Sequence, residues 1–177
     1  MNGLWKKAAY LSASLSAVGL LAGALIFWFH CPCDRLPGGP LQGELVSAPV
    51  SDWSFANDAS LCQIQVAAII PWSVNLNCMS EGGQLYLSCA RCEGKFWSSA
   101  ALDNSNGYIG ISGKVYPVSM VRVLDAEILD IAWRSRAQKV GRGQGVPRAD
   151  HWWSFSLTSR SLTCLLYTSD AADDLLC

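Results

Sequence analysis

Residues 71–97, PWSVNLNCMSEGGQLYLSCARCEGKFW, predict a β-hairpin that ends in a strand-to-helix corner. Polar and apolar residues alternate on both sides of Gly82 and Gly83, which is the pattern of two strands that each bury one face. Glycines provide the positive φ angles that short hairpin loops require. We therefore expect an antiparallel sheet that contains this hairpin.

The corner that follows the hairpin, residues 89–97, brings two cysteines, two basic residues and two aromatic residues close together in the sequence. Backbone N–H groups are free at the start of a helix, and they attract anions. A functional site is therefore expected at this corner before any other part of the chain.

The remaining segments predict further strands and two helices. Alternation and turn residues predict strands at residues 41–50, 61–70, 108–111, 114–124 and 152–158. Helices are predicted at residues 96–102 and from Asp125, as N-cap, to about residue 140. The order of four strands, a helix, two strands, a helix and a strand predicts a mainly β (α+β) domain, with six or seven antiparallel strands and two helices.

An uncharged apolar run at residues 8–29 precedes the predicted domain, and two lysines precede the run. It is long enough to cross a bilayer as a helix. Positive residues favour the cytoplasmic side, so residues 1–7 are predicted to lie in the cytoplasm and the domain outside the inner membrane. Ala-Gly-Ala at residues 22–24 leaves a cleaved signal peptide as the alternative, but the apolar run continues beyond it and favours an uncleaved, single-pass anchor.

Two further segments set the limits of the domain. Residues 30–39 are rich in proline and glycine and predict a linker, so the domain is expected at residues 40–163. The stretch CLLYTSDAAD at residues 164–173 resembles a translated DNA-sequencing adapter. Residues 164–177 are therefore interpreted as a non-native tail and excluded from the fold prediction.

Composition and charge narrow the classes of function. The formal net charge is −1, which argues against a nucleic-acid-binding surface. Eight tryptophans are a high count, and their large aromatic faces suit either a dense core or a planar ligand. No Ser-His-Asp spacing, Gly-rich phosphate loop or pair of carboxylates stands out in the sequence.

Four segments together resemble the pyridoxamine 5′-phosphate oxidase-like split β-barrels: the hairpin at 71–88, Gly-Lys-Phe-Trp at 94–97, the hairpin at 108–116 and His-Trp-Trp-Ser-Phe at 151–155. The resemblance covers roughly residues 40–160. This family includes flavin-dependent oxidases and reductases, deazaflavin-dependent nitroreductase-like proteins and some haem-handling relatives. The resemblance implies a homodimer with FMN or a deazaflavin, or alternatively haem, in a groove between the subunits.

The resemblance also implies where a cofactor would bind. Family members commonly hold the cofactor phosphate with basic residues between the fourth strand and the following helix, and Arg91 and Lys95 occupy the matching positions. Ser98 and Ser99 lie at the start of that helix, and Trp72 and Trp97 are candidates to flank the ring system. The alternative interpretation is that both cations are solvated surface charges and that both tryptophans belong to the core.

The six cysteines outside the tail offer a second chemistry. Cys89-x-x-Cys92 before a helix has the spacing of a redox-active pair, in which the helix start and a neighbouring cation lower a thiol pKa. The alternative in an oxidising compartment is a structural disulfide, within this pair or to Cys62 or Cys78. Zinc requires a second well-spaced pair of ligands, so no metal site is predicted. His151 is a candidate catalytic group, although the start of a strand is its simpler role.

The leading functional prediction is a membrane-anchored flavin- or deazaflavin-binding oxidoreductase. One alternative is a non-catalytic exported β-barrel, stapled by disulfides, that binds a ligand or partner. Another is a thiol–disulfide protein that uses Cys89 and Cys92. The predicted partners are the membrane, a second copy of the chain and a small-molecule substrate, and no residue is assigned as catalytic.

Overall fold

A computed structural model describes residues 2–30 and 32–161, so the interpreted tail at 164–177 lies outside the described residues. The helices are α1 (Asn2–Phe29), α2 (Phe96–Asp103) and α3 (Ala126–Val140), with a short 3-10 helix at Ser54–Asn57. The strands are β1 (Glu44–Leu45), β2 (Cys62–Val66), β3 (Trp72–Glu81), β4 (Gln84–Cys89), β5 (Asn106–Ile111), β6 (Lys114–Arg122) and β7 (Trp153–Ser159).

Strands β2 to β7 close into a six-stranded antiparallel barrel. The sheet order is β1-β6-β5-β2-β3-β4-β7, and an additional pairing between β6 and β7 closes it. The short strand β1 pairs in parallel with β6 and is the seventh strand. These features confirm the predicted fold class, an antiparallel split β-barrel with two helices that follows one N-terminal apolar helix.

Apolar side chains form two cores, one inside the barrel and one beneath α3. The interior includes Ile64, Leu87 and Phe155, which point inward because successive residues of a strand face opposite sides of the sheet. The second core joins Met79 of β3 to Ala132 of α3. Helix α3 therefore covers part of the outer face of the barrel.

The central hairpin forms as the sequence predicts. Strands β3 and β4 pair up to Glu81 and Gln84, which lie opposite each other. Between them, Gly82 and Gly83 have φ angles of +55° and +81°. Two successive positive φ angles are typical of the tight hairpin turn whose twist matches that of the strands.

The first predicted strand is much shorter than expected. Of residues 41–50, only Glu44–Leu45 form a strand, paired with Lys114 and Val115. Gly43 has a φ of +151° immediately before this strand, and Pro49 after it lacks an N–H donor. Regular pairing therefore cannot extend far in either direction.

The second predicted strand also ends early, and the early end leaves apolar residues on the surface. The strand expected at 61–70 ends at Val66, which lies opposite Trp72 in the antiparallel β2–β3 pair. The chain must therefore turn within residues 67–71. Ile69 in this turn is fully exposed, so the apolar pattern there does not mark a core.

Residues 32–39 of the predicted linker fold back onto the barrel. Gly38 and Ser73 exchange two backbone hydrogen bonds of 2.9 Å, and the Ser73 hydroxyl donates to the Gly39 carbonyl at 2.7 Å. The Gly39 N–H in turn donates to the carbonyl of Phe27 at 2.9 Å. The segment therefore ties the end of α1 to β3, and it buries Ser73 on the strand face where the sequence places polar residues.

Helix α1 is long and apolar enough to cross a membrane. The span Trp5–Phe29 has a mean hydropathy of 1.9 in its most apolar window, and that window is not buried in the protein. A helix of this length can cross the hydrocarbon core of a bilayer.

Helix α3 is capped at both ends and bonded to the barrel. The Asp125 carboxylate accepts a hydrogen bond of 3.0 Å from a backbone N–H in the first turn, and Gly141 ends the helix with a φ of +66°. In the last turn, the Lys139 ammonium donates to the carbonyls of Ala56 and Cys78 at 2.7 and 2.6 Å. Burial lowers the pKa of Lys139 below its ordinary value, and the two carbonyls explain why a lysine is tolerated there.

Gly107→Ala should destabilise the barrel, because Gly107 lies where β5 approaches β2. A Cβ at this position would overlap the Gln65 carbonyl oxygen and lie 2.6 Å from the terminal methyl carbon of Met120. Since strand backbone must move to make room, we expect a loss of about 1–3 kcal/mol in the free energy of unfolding. Thermal unfolding of the full chain in detergent micelles, followed by tryptophan fluorescence, measures this loss.

Gly110→Ala is the matched control on the same strand. A Cβ there would lie 3.2 Å from the end of the flexible Gln63 side chain, so we expect a loss below about 1 kcal/mol. Equal decreases in Tm for the two variants would contradict the close approach at Gly107.

Candidate functional site

A tight loop forms the corner between β4 and α2. Gly94 has a φ of +72°, and the Lys95 N–H donates to the Cys92 carbonyl at 3.1 Å. The buried Ser98 hydroxyl lies within hydrogen-bonding distance of the carbonyls of Cys92 and Lys95. Ser98 therefore holds the shape of the corner with its side chain.

Two free thiols lie at this corner. Cys89 ends β4, Cys92 follows in the loop, and both are buried without a disulfide bond. Cys62 and Cys78 are bonded to each other, and Cys33 is also disulfide-bonded. The structural disulfide considered for Cys89 or Cys92 is therefore not formed in this structure.

The surroundings of the two thiols make their acidities unequal. The pKa of Cys89 is lowered to about 6, chiefly because the Cys92 thiol donates a hydrogen bond to its sulfur. The N–H of Arg91 and the Lys95 ammonium, 3.7 Å from Cys89 Sγ, add to the lowering, while burial opposes it. The same contact and burial raise the pKa of Cys92. Cys89 is therefore the thiol that ionises first.

The two tryptophans singled out by the sequence have different environments. Trp97 is buried in the barrel core, with its ring centre 5.4 Å from that of Phe155. Trp72 is half-buried, with its ring centre 4.9 Å from that of Phe96 and 5.8 Å from that of Phe27. The aromatic residue of α2 that lies beside Trp72 is therefore Phe96.

A cavity of about 670 Å³ opens beside Trp72, between the end of α1, the β2–β3 turn and α2. Its aromatic walls are Phe27, Trp72 and Phe96, and the polar side chains that line it are those of Ser99 and Asp103. Ligand pockets commonly have volumes of about 300–1,000 Å³ and mainly apolar walls. The cavity therefore has the size and character of a site for a small planar molecule.

Arg91 and Lys95 are both exposed, and neither forms an ion pair with another residue in the described parts of the chain. Neither side chain lines the cavity. Lys95 is, however, the N-cap of α2, and the next residue, Phe96, forms a wall of the cavity. The cationic corner and the cavity therefore meet at the first turn of α2.

Sequence reasoning named Ser99 at the start of α2 but missed the other residues of α2 that line the cavity. Phe96, Ser99, Ala100 and Asp103 have the spacing i, i+3, i+4, i+7, which places them on one face of a helix. This periodicity is visible in the sequence, but the helix is short and its other face carries Trp97. Which of the two adjacent aromatic residues faces the core depends on the barrel to which the helix packs.

His151 and a metal site, the remaining possibilities raised by the sequence, have no part in the corner or the cavity. His151 is exposed just before β7, and it is not among the residues that line the cavity. Within residues 2–30 and 32–161, no group of three or more His, Cys, Asp or Glu side chains could hold a metal ion.

The sequence matches no protein-family profile and no curated protein. A solved structure from Listeria innocua, assigned as a pyridoxamine 5′-phosphate oxidase, is similar with 9% identity and a TM-score of 0.47 over 60% of this chain and 88% of its own. A NimC/NimA family protein from Clostridium acetobutylicum has 11% identity and a TM-score of 0.44 over 58% of this chain and 76% of its own.

A third solved structure, from Bacteroides thetaiotaomicron, is assigned as a 5-nitroimidazole antibiotic resistance protein. It has 12% identity and a TM-score of 0.49 over 73% of this chain and 91% of its own. Similarities at this level of identity concern the fold alone, and they carry no information on the ligand or the reaction of this chain.

Proposed function

We propose that this chain binds a flavin or deazaflavin in the cavity beside Trp72 and acts as an oxidoreductase. The observation that carries the proposal is the cavity of about 670 Å³ with Trp72 and Phe96 on its walls. Planar ring systems pack favourably against aromatic side chains, and a mainly apolar wall with a few polar groups is typical of cofactor sites. The closed antiparallel barrel and the resemblance of the sequence support the same class of protein.

The residues around the cavity fit both ends of such a cofactor. Ser99 and Asp103 offer hydrogen-bonding groups to the polar edge of the ring system. Lys95 and Arg91 provide cations beside the free N–H groups at the start of α2, a setting that favours a phosphate. A bound flavin supplies the hydride or electron transfer, while these side chains bind and orient it.

In this proposal Trp97 and Ser98, two of the cofactor-binding candidates from the sequence, have structural roles. Trp97 fills the core, and the Ser98 hydroxyl is engaged by carbonyls of the corner. The adjacent residues Phe96 and Ser99 line the cavity, and in this proposal they contact the cofactor in place of Trp97 and Ser98.

The membrane anchor and a homodimer are further parts of the proposal. Lys6 and Lys7 support a cytoplasmic N-terminus, and the barrel would then lie on the outer side of the inner membrane. Ile69 and Ile70 expose apolar surface at the mouth of the cavity, and a second subunit would cover such a surface. The cofactor would then lie between the two copies.

Removing either aromatic wall should weaken cofactor binding. We expect Trp72→Ala and Phe96→Ala each to raise the Kd for FMN by about tenfold, because each loses one ring contact. Equilibrium dialysis of the full chain in detergent micelles against FMN measures the change. Phe55→Ala is the matched control, since Phe55 is a partly exposed aromatic residue that packs against Trp53 and Tyr116, outside the cavity.

Comparison of FMN with riboflavin tests the phosphate contact separately. Lys95→Met should raise the Kd for FMN by about tenfold and leave that for riboflavin, which has no phosphate, nearly unchanged. If wild-type protein binds neither FMN nor a deazaflavin, the flavin proposal is wrong. A non-catalytic barrel stapled by the Cys62–Cys78 disulfide would then be the better account.

A further inference from the structure

We propose that Cys89 and Cys92 form a thiol–disulfide exchange site, in which Cys89 attacks a disulfide of a partner molecule and Cys92 resolves the mixed disulfide. The proposal is independent of flavin binding. It rests on the position of the two thiols at the corner between β4 and α2, and on the charges around them.

The two sulfurs differ in access. Cys89 is 7% exposed at the end of β4, whereas Cys92 is completely buried. Cys89 is therefore the thiol nearer to the surface, where a disulfide from outside would meet it first, and the fully buried Cys92 would attack Cys89 from the protein side. This division of roles is typical of Cys-x-x-Cys pairs with one accessible thiol.

Charged groups from two elements favour a thiolate at this place. The Lys95 ammonium, at the N-cap of α2, lies 3.7 Å from Cys89 Sγ. The positive charge of Arg122, on β6, acts on Cys92. The Arg122 guanidinium stacks over the ring of Trp153, 3.5 Å from its centroid, and Trp153 lies opposite Cys89 in the β4–β7 pair.

The chain contains an internal contrast to this pair. Cys62 and Cys78 are fully buried and bonded to each other, so they form a closed structural disulfide. Cys89 and Cys92 lie in the same core cluster but remain free thiols. In this structure one pair is therefore a closed cross-link and the other is a dithiol, the form that the proposed exchange requires.

The exchange conserves atoms, protons and electrons with only the chain, the partner disulfide and solvent. The Cys89 thiolate attacks one sulfur of the partner disulfide, which forms a mixed disulfide and releases the first thiolate. Cys92 then loses its proton to solvent and attacks Cys89 Sγ, which forms the Cys89–Cys92 disulfide and releases the second thiolate. The released thiolates take up protons, so two electrons pass from the chain to the partner disulfide. A dithiol partner would reverse every step.

Reaction of the full chain in detergent micelles with 2-hydroxyethyl disulfide, a small neutral disulfide, tests the proposal. Trypsin cleaves after Arg91 and Lys95, so Cys92 falls on a short peptide and Cys89 on a longer one that also contains Cys62 and Cys78. Mass spectrometry detects the joined peptides, and fragmentation shows whether Cys92 is bonded to Cys89. Wild-type protein should join the two peptides and release two thiols for each pair formed. Wild-type protein that keeps both thiols, or that gains the disulfide bond only after unfolding, would overturn the proposal.

Single variants assign the two roles. Cys92→Ser should accumulate a stable mixed disulfide on Cys89, whereas Cys89→Ser should leave Cys92 unmodified. Equal modification of the two variants would contradict the proposed order of attack. The wild-type measurement does not depend on the folding of these variants.

The pH profile of Cys89 separates a reactive thiol from a merely buried one. Since only the thiolate reacts, alkylation of Cys89 by iodoacetamide should rise with pH and reach half its maximum rate near pH 6, where its pKa lies. Lys95→Met should move this midpoint to higher pH, and Lys114→Met, which removes an exposed lysine at the β5–β6 hairpin, should not. A wild-type midpoint at the ordinary thiol value of about 8.5 would contradict the proposal.

Discussion

Phe155→Ala should lower the free energy of unfolding by about 3–5 kcal/mol, because it leaves a large cavity in the barrel core. Phe155 is fully buried on β7, the strand that closes the barrel. It lies opposite Leu87 of β4 and Arg122 of β6, and its ring contacts that of Trp97.

The loss is measured by thermal or denaturant unfolding of the full chain in detergent micelles, with tryptophan fluorescence as the signal. Phe155→Leu keeps most of the volume and should cost less than about 1.5 kcal/mol. Val121→Ala, at an exposed position on β6, should have little effect. A small loss for Phe155→Ala would show that β7 does not pack at the centre of the barrel.

Removing the Cys62–Cys78 disulfide should lower the free energy of unfolding by about 3 kcal/mol, because the bond restricts the unfolded chain. The bonded residues are 16 positions apart and join β2 to β3 inside the core. The double variant Cys62→Ala/Cys78→Ala removes the bond, and unfolding of the full chain in denaturant measures the change.

Cys92→Ala is the matched control for this loss, since Cys92 is equally buried but is a free thiol. Its substitution removes the packing of one sulfur without removing a cross-link, so its effect should be clearly smaller. If Cys92→Ala and the double variant have the same effect, the stability comes from sulfur packing and the cross-link contributes nothing.

Local patterns predicted an antiparallel, mainly β domain, and the resemblance of four segments to the split β-barrels predicted that its sheet closes. The two glycines of the central hairpin, the Asp125 cap and the order of helices and strands along the chain each follow from local sequence, and all three are present in the structure. The alternation of polar and apolar residues gave a wrong strand length where pairing depends on residues distant in sequence. The pattern of residues 41–50 predicts a strand, but the neighbouring strand is β6, and only Glu44–Leu45 pair with it.

The candidate site could be located from the sequence but not resolved in detail. The corner after β4 does hold two thiols and two cations, as its composition suggested. The roles of adjacent residues could not be separated, because the orientation of α2 decides that Trp97 enters the core and Phe96 lines the cavity. The docking of Gly38 and Gly39 on Ser73, which brings Phe27 to the cavity, depends on contacts that no local pattern encodes.

The most direct test of the central claim is the visible absorbance spectrum of the full chain during titration with FMN and with a deazaflavin. We expect a saturable change in the flavin band that corresponds to one site per chain and that is weaker in Trp72→Ala and in Phe96→Ala. A spectrum identical to that of free cofactor at every concentration would contradict the claim that the cavity beside Trp72 is a flavin site.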